Sequence, residues 1–307
     1  MTKTHSIQRS TRFAAIAALV GFGLLSAAMP ANARPVVASD NASNAPYADQ
    51  WQTGDNGGFG FGAWTLTSAN NGGSAGHFIG TSNNNGNGLA PAAQPTLGIN
   101  TAGVAFGLYA NSGGTPFSLA TRNINSAIAV GSTFSFGYDN GYVDSPNAPQ
   151  IRLADSTGLV RLTFQFVGGG ANYSVIDGGG TQNFGNGTAP GDLGGYTEGG
   201  LSGIFTLTGT DTYSLQMTRN PQAIRNSGEV AQTATISGTL AGTAGSSLTQ
   251  LQIFTNAGGG GGTGDFLVNS FEVNAPATVV PEPGTLSLLT VGFGIVGMVI
   301  ARRKCAK

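Results

Sequence analysis

The sequence predicts an all-β body, an antiparallel β-sandwich or jelly roll, and three observations point there. Apolar residues alternate with polar ones in short runs rich in Thr, Val, Phe and Tyr, the signature of half-buried strands. Glycine clusters at 168–170, 178–180 and 258–262 separate such runs and mark turns. No amphipathic helix is legible between residues 34 and 280.

The clearest run is 160–167, which sets Leu162, Phe164 and Phe166 on one face and Arg161, Thr163 and Gln165 on the other. Residues 212–218 alternate through Tyr213, Leu215 and Met217. Phe134 and Phe136 flank Ser135, Leu251 and Ile253 alternate with Gln250 and Gln252, and Phe271 and Val273 flank Glu272. Residues 63–68, 104–110, 116–122, 150–154, 204–208 and 233–240 read the same way. About a dozen strands at this spacing suit one sandwich domain over 57–274. Residues 34–56 lack periodicity and read as a linker or arm, and 82–95 as a long loop. The outer strand positions are Thr, Ser, Asn and Gln rather than charges, which suits a surface that meets carbohydrate or crowded matrix.

Composition narrows the partners. Between residues 34 and 280 only six of the 13 basic residues remain, all Arg, against 13 of the 14 acids, a formal charge of −7. Nucleic acid and anionic lipid both require a basic footprint, so neither is expected as a partner of the body. The one cysteine, Cys305, lies at the extreme C-terminus, so the body must hold together by its hydrophobic core rather than by disulfides.

The two ends differ from the middle. Lys3, Arg9 and Arg12 precede an apolar stretch at 13–25, and Ala31-Asn32-Ala33 supplies a small-residue cleavage signal. Residues 1–33 therefore read as a signal peptide, cut after Ala33 and handled by the Sec translocon. At the other end, 286–301 is an apolar run that as a helix spans about 24 Å at ~1.5 Å per residue. It contains Gly292, Gly294 and Gly297, tolerated in lipid. Arg302, Arg303 and Lys304 follow at once and stay in the cytoplasm by the positive-inside rule. Before the run stands Pro281-Glu282-Pro283, a stiff, extended segment that a membrane-embedded protease could accept. The same residues would also suit a plain helix start, with Pro first and Glu at the positive end.

Val280-Pro281-Glu282-Pro283-Gly284, the glycine-bearing apolar run and the closing Arg302-Arg303-Lys304 resemble the PEP-CTERM sorting signal, which covers the tail within 275–307. The resemblance implies processing by an exosortase near Pro281, Glu282 and Pro283, with Glu282 as the central recognition residue. It further implies a Gram-negative host that makes exopolysaccharide or biofilm matrix. The protein would pass through an inner-membrane intermediate to the cell surface or matrix.

Chemistry in the body is sparse. His77 is its one histidine, and it has neither Cys nor Lys, which removes Cys–His and Lys nucleophiles and a Cys-ligated zinc site. A Ser–His–Asp triad would have to use His77, read here as an exposed strand-end residue. Glycosidase chemistry needs two carboxylates. The glutamates are Glu198, Glu229 and Glu272, and the Glu-x-Asp-x-x-Glu pattern of jelly-roll glucanases is absent. No cofactor is expected beyond a structural calcium ion, for which Asp139, Asn140 and Asp144 around Gly141 are the candidates, with Asp265 a further loop acid. Trp51, Trp64, Tyr138, Tyr142 and Tyr173 are candidates for stacking on sugars, with core packing the alternative and, for Trp64, the favoured one. Residues 248–273 are faintly similar to the last strands of laminin-G-like or legume-lectin-like jelly rolls. The expectation is a non-enzymatic surface protein associated with exopolysaccharide; the alternative is a carbohydrate-active enzyme or a lectin-like binder.

Overall fold

The period-two runs pair as strands. The structure is a computed structural model that describes residues 34–277, apart from 83–97, 112, 141–142, 186–192, 194–198, 221–231 and 258–264. The signal peptide, the Pro281-Glu282-Pro283 segment, the apolar run 286–301 and the basic end lie outside the described residues. Among the described residues the strands are β1 (Val36–Asp40), β2 (Thr65–Ala69), β3 (Ser74–Gly80), β4 (Ala105–Asn111), β5 (Phe117–Asn123), β6 (Thr133–Asp139), β7 (Gln150–Ala154) and β8 (Val160–Phe166). They continue as β9 (Tyr173–Asp177), β10 (Gly180–Asn183), β11 (Leu201–Leu207), β12 (Thr212–Arg219), β13 (Gln232–Thr239), β14 (Gln250–Asn256) and β15 (Phe266–Asn274).

The strands form two antiparallel sheets packed as a sandwich. Sheet I runs β13-β12-β11-β6-β15-β4-β3, with β1 also paired to β15. Sheet II runs β10-β9-β8-β7-β14-β5-β2. Alternation decides which residues meet between them. Phe134, Tyr138, Phe205, Leu215 and Met217 of sheet I face Ile151, Leu153, Phe164, Leu251 and Ile253 of sheet II, all buried. Tyr138 and Phe164 meet across the gap edge-on, with ring centroids 5.0 Å apart. The outer face of sheet I carries hydroxyls, as its sequence predicts: Thr218 on β12 and Thr233 on β13 meet at 2.9 Å.

One bulge organises the middle of sheet I. The β15–β6 register shifts between Asn269 and Glu272, and Ser270 takes a φ of +56°. On its other side β15 pairs first with β4, through Phe266–Val268, and then with β1, through Phe271–Asn274. Asn269, buried at the switch, joins the two neighbours. Its Nδ2 donates to the carbonyls of Ile99 and Val104, both at 3.0 Å, and its Oδ1 accepts from the Ala42 amide at 2.9 Å.

The structure corrects the reading of 34–56 as a linker or arm. Residues 36–40 are β1 of sheet I, and Ala45–Tyr47 forms a turn of 3-10 helix. Tyr47 and Trp51 are core residues. The segment lacks periodicity because polar chemistry, not apolar alternation, secures it. Asp40 at the end of β1 forms a wholly buried ion pair with Arg122 of β5 in the opposite sheet. The Asp40 carboxylate also accepts from the Tyr47 hydroxyl, and from Asn44 Nδ2 and the Asn41 amide, both at 2.8 Å. Arg122 donates from Nε and Nη2 to the Gly62 carbonyl and from Nη2 to Asn56 Oδ1. Its guanidinium lies 4.6 Å from the Phe61 ring centroid and 4.5 Å from that of Trp64. Phe59 makes an isolated bridge to Ser39, and Gly60 takes a φ of +74° there; a Cβ at Gly60 would lie 2.1 Å from the Val37 carbonyl.

Strands β1, β9 and β10 are not legible in the pattern, and β3 shows only as the strand end expected at His77. β10 reads GTQN and offers no apolar residue, and β9 carries Ile176 on the face opposite Tyr173 and Val175, which blurs its alternation.

Removing Arg122 leaves a buried carboxylate without its cation. Arg122→Ala is expected to cost about 3–5 kcal/mol of folding free energy. Urea unfolding of the variant beside the wild type checks this, and a loss below ~1 kcal/mol would contradict it.

Candidate functional site

The residues considered for catalysis are dispersed into structural roles. His77 is not an exposed strand-end residue: it sits mid-strand in β3, half-buried, with its ring edge-on to Trp51 at 5.4 Å. It bonds to the Leu119 backbone in sheet II, and its Nε2 is buried with no hydrogen-bond partner among the described residues. Burial lowers its pKa to about 4, so it is a neutral packing residue at physiological pH. Gly72-Gly73-Ser74-Ala75-Gly76 has the Gly-x-Ser-x-Gly spacing of a nucleophile elbow. Ser74, however, is the exposed first residue of a strand rather than the apex of a strand-to-helix turn.

The carboxylates are mostly engaged. Asp211 accepts from Arg161 Nη2 at 2.7 Å and from the Gly245 amide at 2.9 Å, and the Arg161 bond holds its pKa low. Asp177 accepts from the Tyr213 hydroxyl at 2.6 Å and Gln182 Nε2 at 2.7 Å. Asp155 closes a turn through the Thr157 hydroxyl and amide, and those bonds lower its pKa. Glu272 accepts from Asn274 at 2.7 Å. Glu198 and Glu229 lie outside the described residues.

The calcium candidates are placed unlike a surface loop. Asp139 ends β6, and both it and Asn140 are wholly buried; Asp144 is half-buried. Asn140 Oδ1 accepts the Tyr173 hydroxyl at 2.6 Å. Asp265 is half-buried, and burial raises its pKa. Among the described residues no three carboxylate, His or Cys side chains gather to hold a metal. The stacking candidates are likewise interior: Trp51, Trp64, Tyr138 and Tyr173 are all core residues, and Tyr142 lies outside the described residues.

What the structure does assemble is a polar outer face on sheet II. Ladder registers align Ser174 of β9, Gln165 of β8, Gln150 of β7, Phe254 of β14 and Leu119 of β5 in one row. The next row holds Ile176, Thr163, Arg152, Gln252 and Thr121. Gln165 Nε2 donates to Ser174 Oγ at 3.3 Å, Gln150 Nε2 to Gln165 Oε1 at 2.9 Å, and Arg152 Nε to Gln150 Oε1 at 2.6 Å. Gln252 Nε2 bonds Gln250 Oε1 at 2.7 Å, and the half-buried rings of Phe117 and Phe254 stack at 6.4 Å. No Asp or Glu occupies an outward position on these seven strands.

The sequence assigns Arg161, Thr163 and Gln165 to the solvent side; Thr163 and Gln165 take that side without the exposure, while the β7–β8 register shift falls at Arg161, whose guanidinium pairs with Asp211 in the turn between β11 and β12 of sheet I. All three are buried. Arg161 is covered by the 241–246 segment, donating to the Ala241 carbonyl at 2.5 Å and to that of Ser246. Gln165 is held between Gln150 and Ser174 in the amide chain. Alternation reveals the face a residue takes, not what lies across it.

On sheet I a depression of about 360 Å³ opens over β15, β6 and β11. Ser135, Gly137, Ser202, Ile204 and Ser270 line it, with Ile99 packed over Gly137. No helix among the described residues is long and apolar enough to cross a membrane.

The fold and these surfaces define an antiparallel β-sandwich with an amide-rich outer face. Residues 279–304 match the PEP-CTERM protein-sorting motif. The motif implies an exported protein with exosortase as processing partner and a membrane-anchored intermediate before cell-surface display. No curated protein sequence matches the chain. Among solved structures the chain is similar to a glycosyl hydrolase family 16 protein from Mycobacterium smegmatis, at 15% identity over 78% of this chain and 100% of that one, TM-score 0.39. It is similar to the CBM2 module of the evolved Dit protein of Lactobacillus casei BL23 phage J-1, at 13% identity over 78% and 98%, TM-score 0.39. It is also similar to the enzymatically active domain of bacteriophage CBA120 tailspike protein 4, at 13% identity and TM-score 0.29; there it covers 69% of its own length but spans 19% of that chain.

His77 makes stability depend on pH. The folded state refuses its proton down to about pH 4, whereas the unfolded chain takes it up near 6.5. Stability is therefore complete above ~6.5 and falls as pH drops from there towards 4. Thermal melts between pH 7.5 and 4.5 are expected to show a falling Tm, with a shallower slope in His77→Gln; equal slopes would contradict the assignment.

Proposed function

We propose that residues 34–277 are a non-catalytic, polysaccharide-binding body, carried by the sorting tail through an inner-membrane intermediate to the surface of a Gram-negative cell. The observation that carries the reading is the outer face of sheet II. Amides and hydroxyls there are bonded to one another and so held in place. Such groups match sugar hydroxyls, which both donate and accept. Two half-buried phenylalanines offer apolar surface beside them. A hydrolase would need a pair of carboxylates beside the glycan, and the outward positions of these strands hold none. The polysaccharide is read as matrix exopolysaccharide, where an exported surface protein would meet it.

Screening the purified protein on polysaccharides tests this reading. Binding without turnover is expected, and bond cleavage would replace it with an enzyme on the same scaffold. Gln150→Ala with Gln165→Ala is expected to weaken binding about 10-fold, from two lost neutral hydrogen bonds at ~0.5–1.5 kcal/mol each. Calorimetric titration against the wild type measures it, and unchanged affinity would remove the face from the reading.

The tail is read as a temporary hold. Mass spectrometry of the surface form is expected to find no peptide C-terminal to Pro283 in the wild type, and to find such peptides in Glu282→Ala. Their persistence in the wild type would make the tail a permanent anchor.

A further inference from the structure

We propose that Arg152 anchors an acidic sugar, a glycan residue bearing a carboxylate, on the outer face of sheet II. The inference rests on reading that face as polysaccharide-binding and specifies the class of glycan.

Two arginines of this body are held by acids, Arg122 by Asp40 and Arg161 by Asp211. Arg152 is held by an amide and an aromatic ring instead. It stands on β7, the middle strand of sheet II, between Thr163 of β8 and Gln252 of β14. Its Nε donates to Gln150 Oε1 at 2.6 Å, and its guanidinium carbon lies 4.0 Å from the Phe254 ring centroid. Among the described residues, no outward strand position of this sheet carries a carboxylate. Burial lowers its pKa to about 10, so it stays charged at neutral pH while losing part of its hydration.

Holding a half-buried cation without a counter-ion costs free energy that a glutamine in the same row would not. Stacking on Phe254 and the Gln150 bond fix its plane in advance, which lowers the cost of binding. With Nε engaged, the two terminal nitrogens are the donors left for a two-pronged bond to a carboxylate. The flanking Gln150, Thr163 and Gln252 suit the hydroxyls of the same or neighbouring sugars. The formal charge of −7 on residues 34–280 resides elsewhere, because the outward positions of these strands carry no acid.

The full-length protein is titrated with polygalacturonate, its methyl ester and the carboxyl-reduced neutral galactan. The wild type is expected to bind polygalacturonate about 10- to 100-fold more tightly than either neutral polymer, as a charge-assisted bidentate bond allows. Arg152→Gln is expected to abolish that preference while leaving binding of the neutral polymers in place, and Arg152→Lys to retain part of it. Esterification removes the charge without altering the protein, so the comparison stands even if Arg152→Gln folds poorly. Equal binding of charged and neutral polymers, or a preference that survives in Arg152→Gln, would overturn the inference and leave the polysaccharide reading intact. Failure of the wild type to bind any of the three would overturn both.

Discussion

The buried contact between Asp40 and Arg122 is the constraint on which the N-terminal half of the sandwich depends. It spans the two sheets, from the end of β1 to β5. Neither charge is tolerable alone in a dry interior, so each requires the other and a full set of hydrogen bonds. Asn44, Tyr47, Asn56 and Gly62 supply that set. Burial and the bond to Asp40 raise the Tyr47 pKa, so the phenol remains a donor. Around the pair, Trp51, Trp64 and Phe106 pack ring against ring, with centroids 4.8–5.8 Å apart. A stretch without apolar periodicity is thus tied into the core by one polar knot.

The same logic separates structure from function across the molecule. Two charges placed inside are paired: Arg122 with Asp40, and Arg161 with the half-buried Asp211 at the seam where 240–248 crosses between sheets. Charges and amides placed on the outer face of sheet II bond to each other instead, through Gln150, Gln165 and Arg152. The first arrangement spans the two sheets; the second runs along one sheet, with Gln165 and Gln252 buried and Gln150 and Arg152 half-buried.

Much of the architecture was legible because strand periodicity is a direct record of which side is dry. The runs at 160–167 and 212–218 became β8 and β12 with their apolar faces in the core. The segment 36–40 was not legible, because its partner, β15, is more than two hundred residues away and its anchor is a single aspartate. The candidate face was half legible. Sequence pattern put Gln165 and Thr163 on the outer side of β8, but that they align with Gln150, Arg152 and Gln252 is a matter of register, set by long-range pairing. Trp64 is in the core as its sequence context favours, and Trp51, Tyr138 and Tyr173 join it for a physical reason: in a sandwich without disulfides they are needed as core volume. The sorting segment was legible as a local motif, since it is read as an extended peptide and a short apolar run.

The central claim is that Asp40 and Arg122 act as one unit that holds the N-terminal segment in the sandwich. A double-mutant cycle with Asp40→Ala, Arg122→Ala and the pair, followed by urea unfolding, measures it directly. The account predicts strong non-additivity, with a coupling of about 2 kcal/mol or more, because the second truncation removes a charge already stranded by the first. Single losses that add to within ~0.5 kcal/mol would show two independent side chains and contradict the claim.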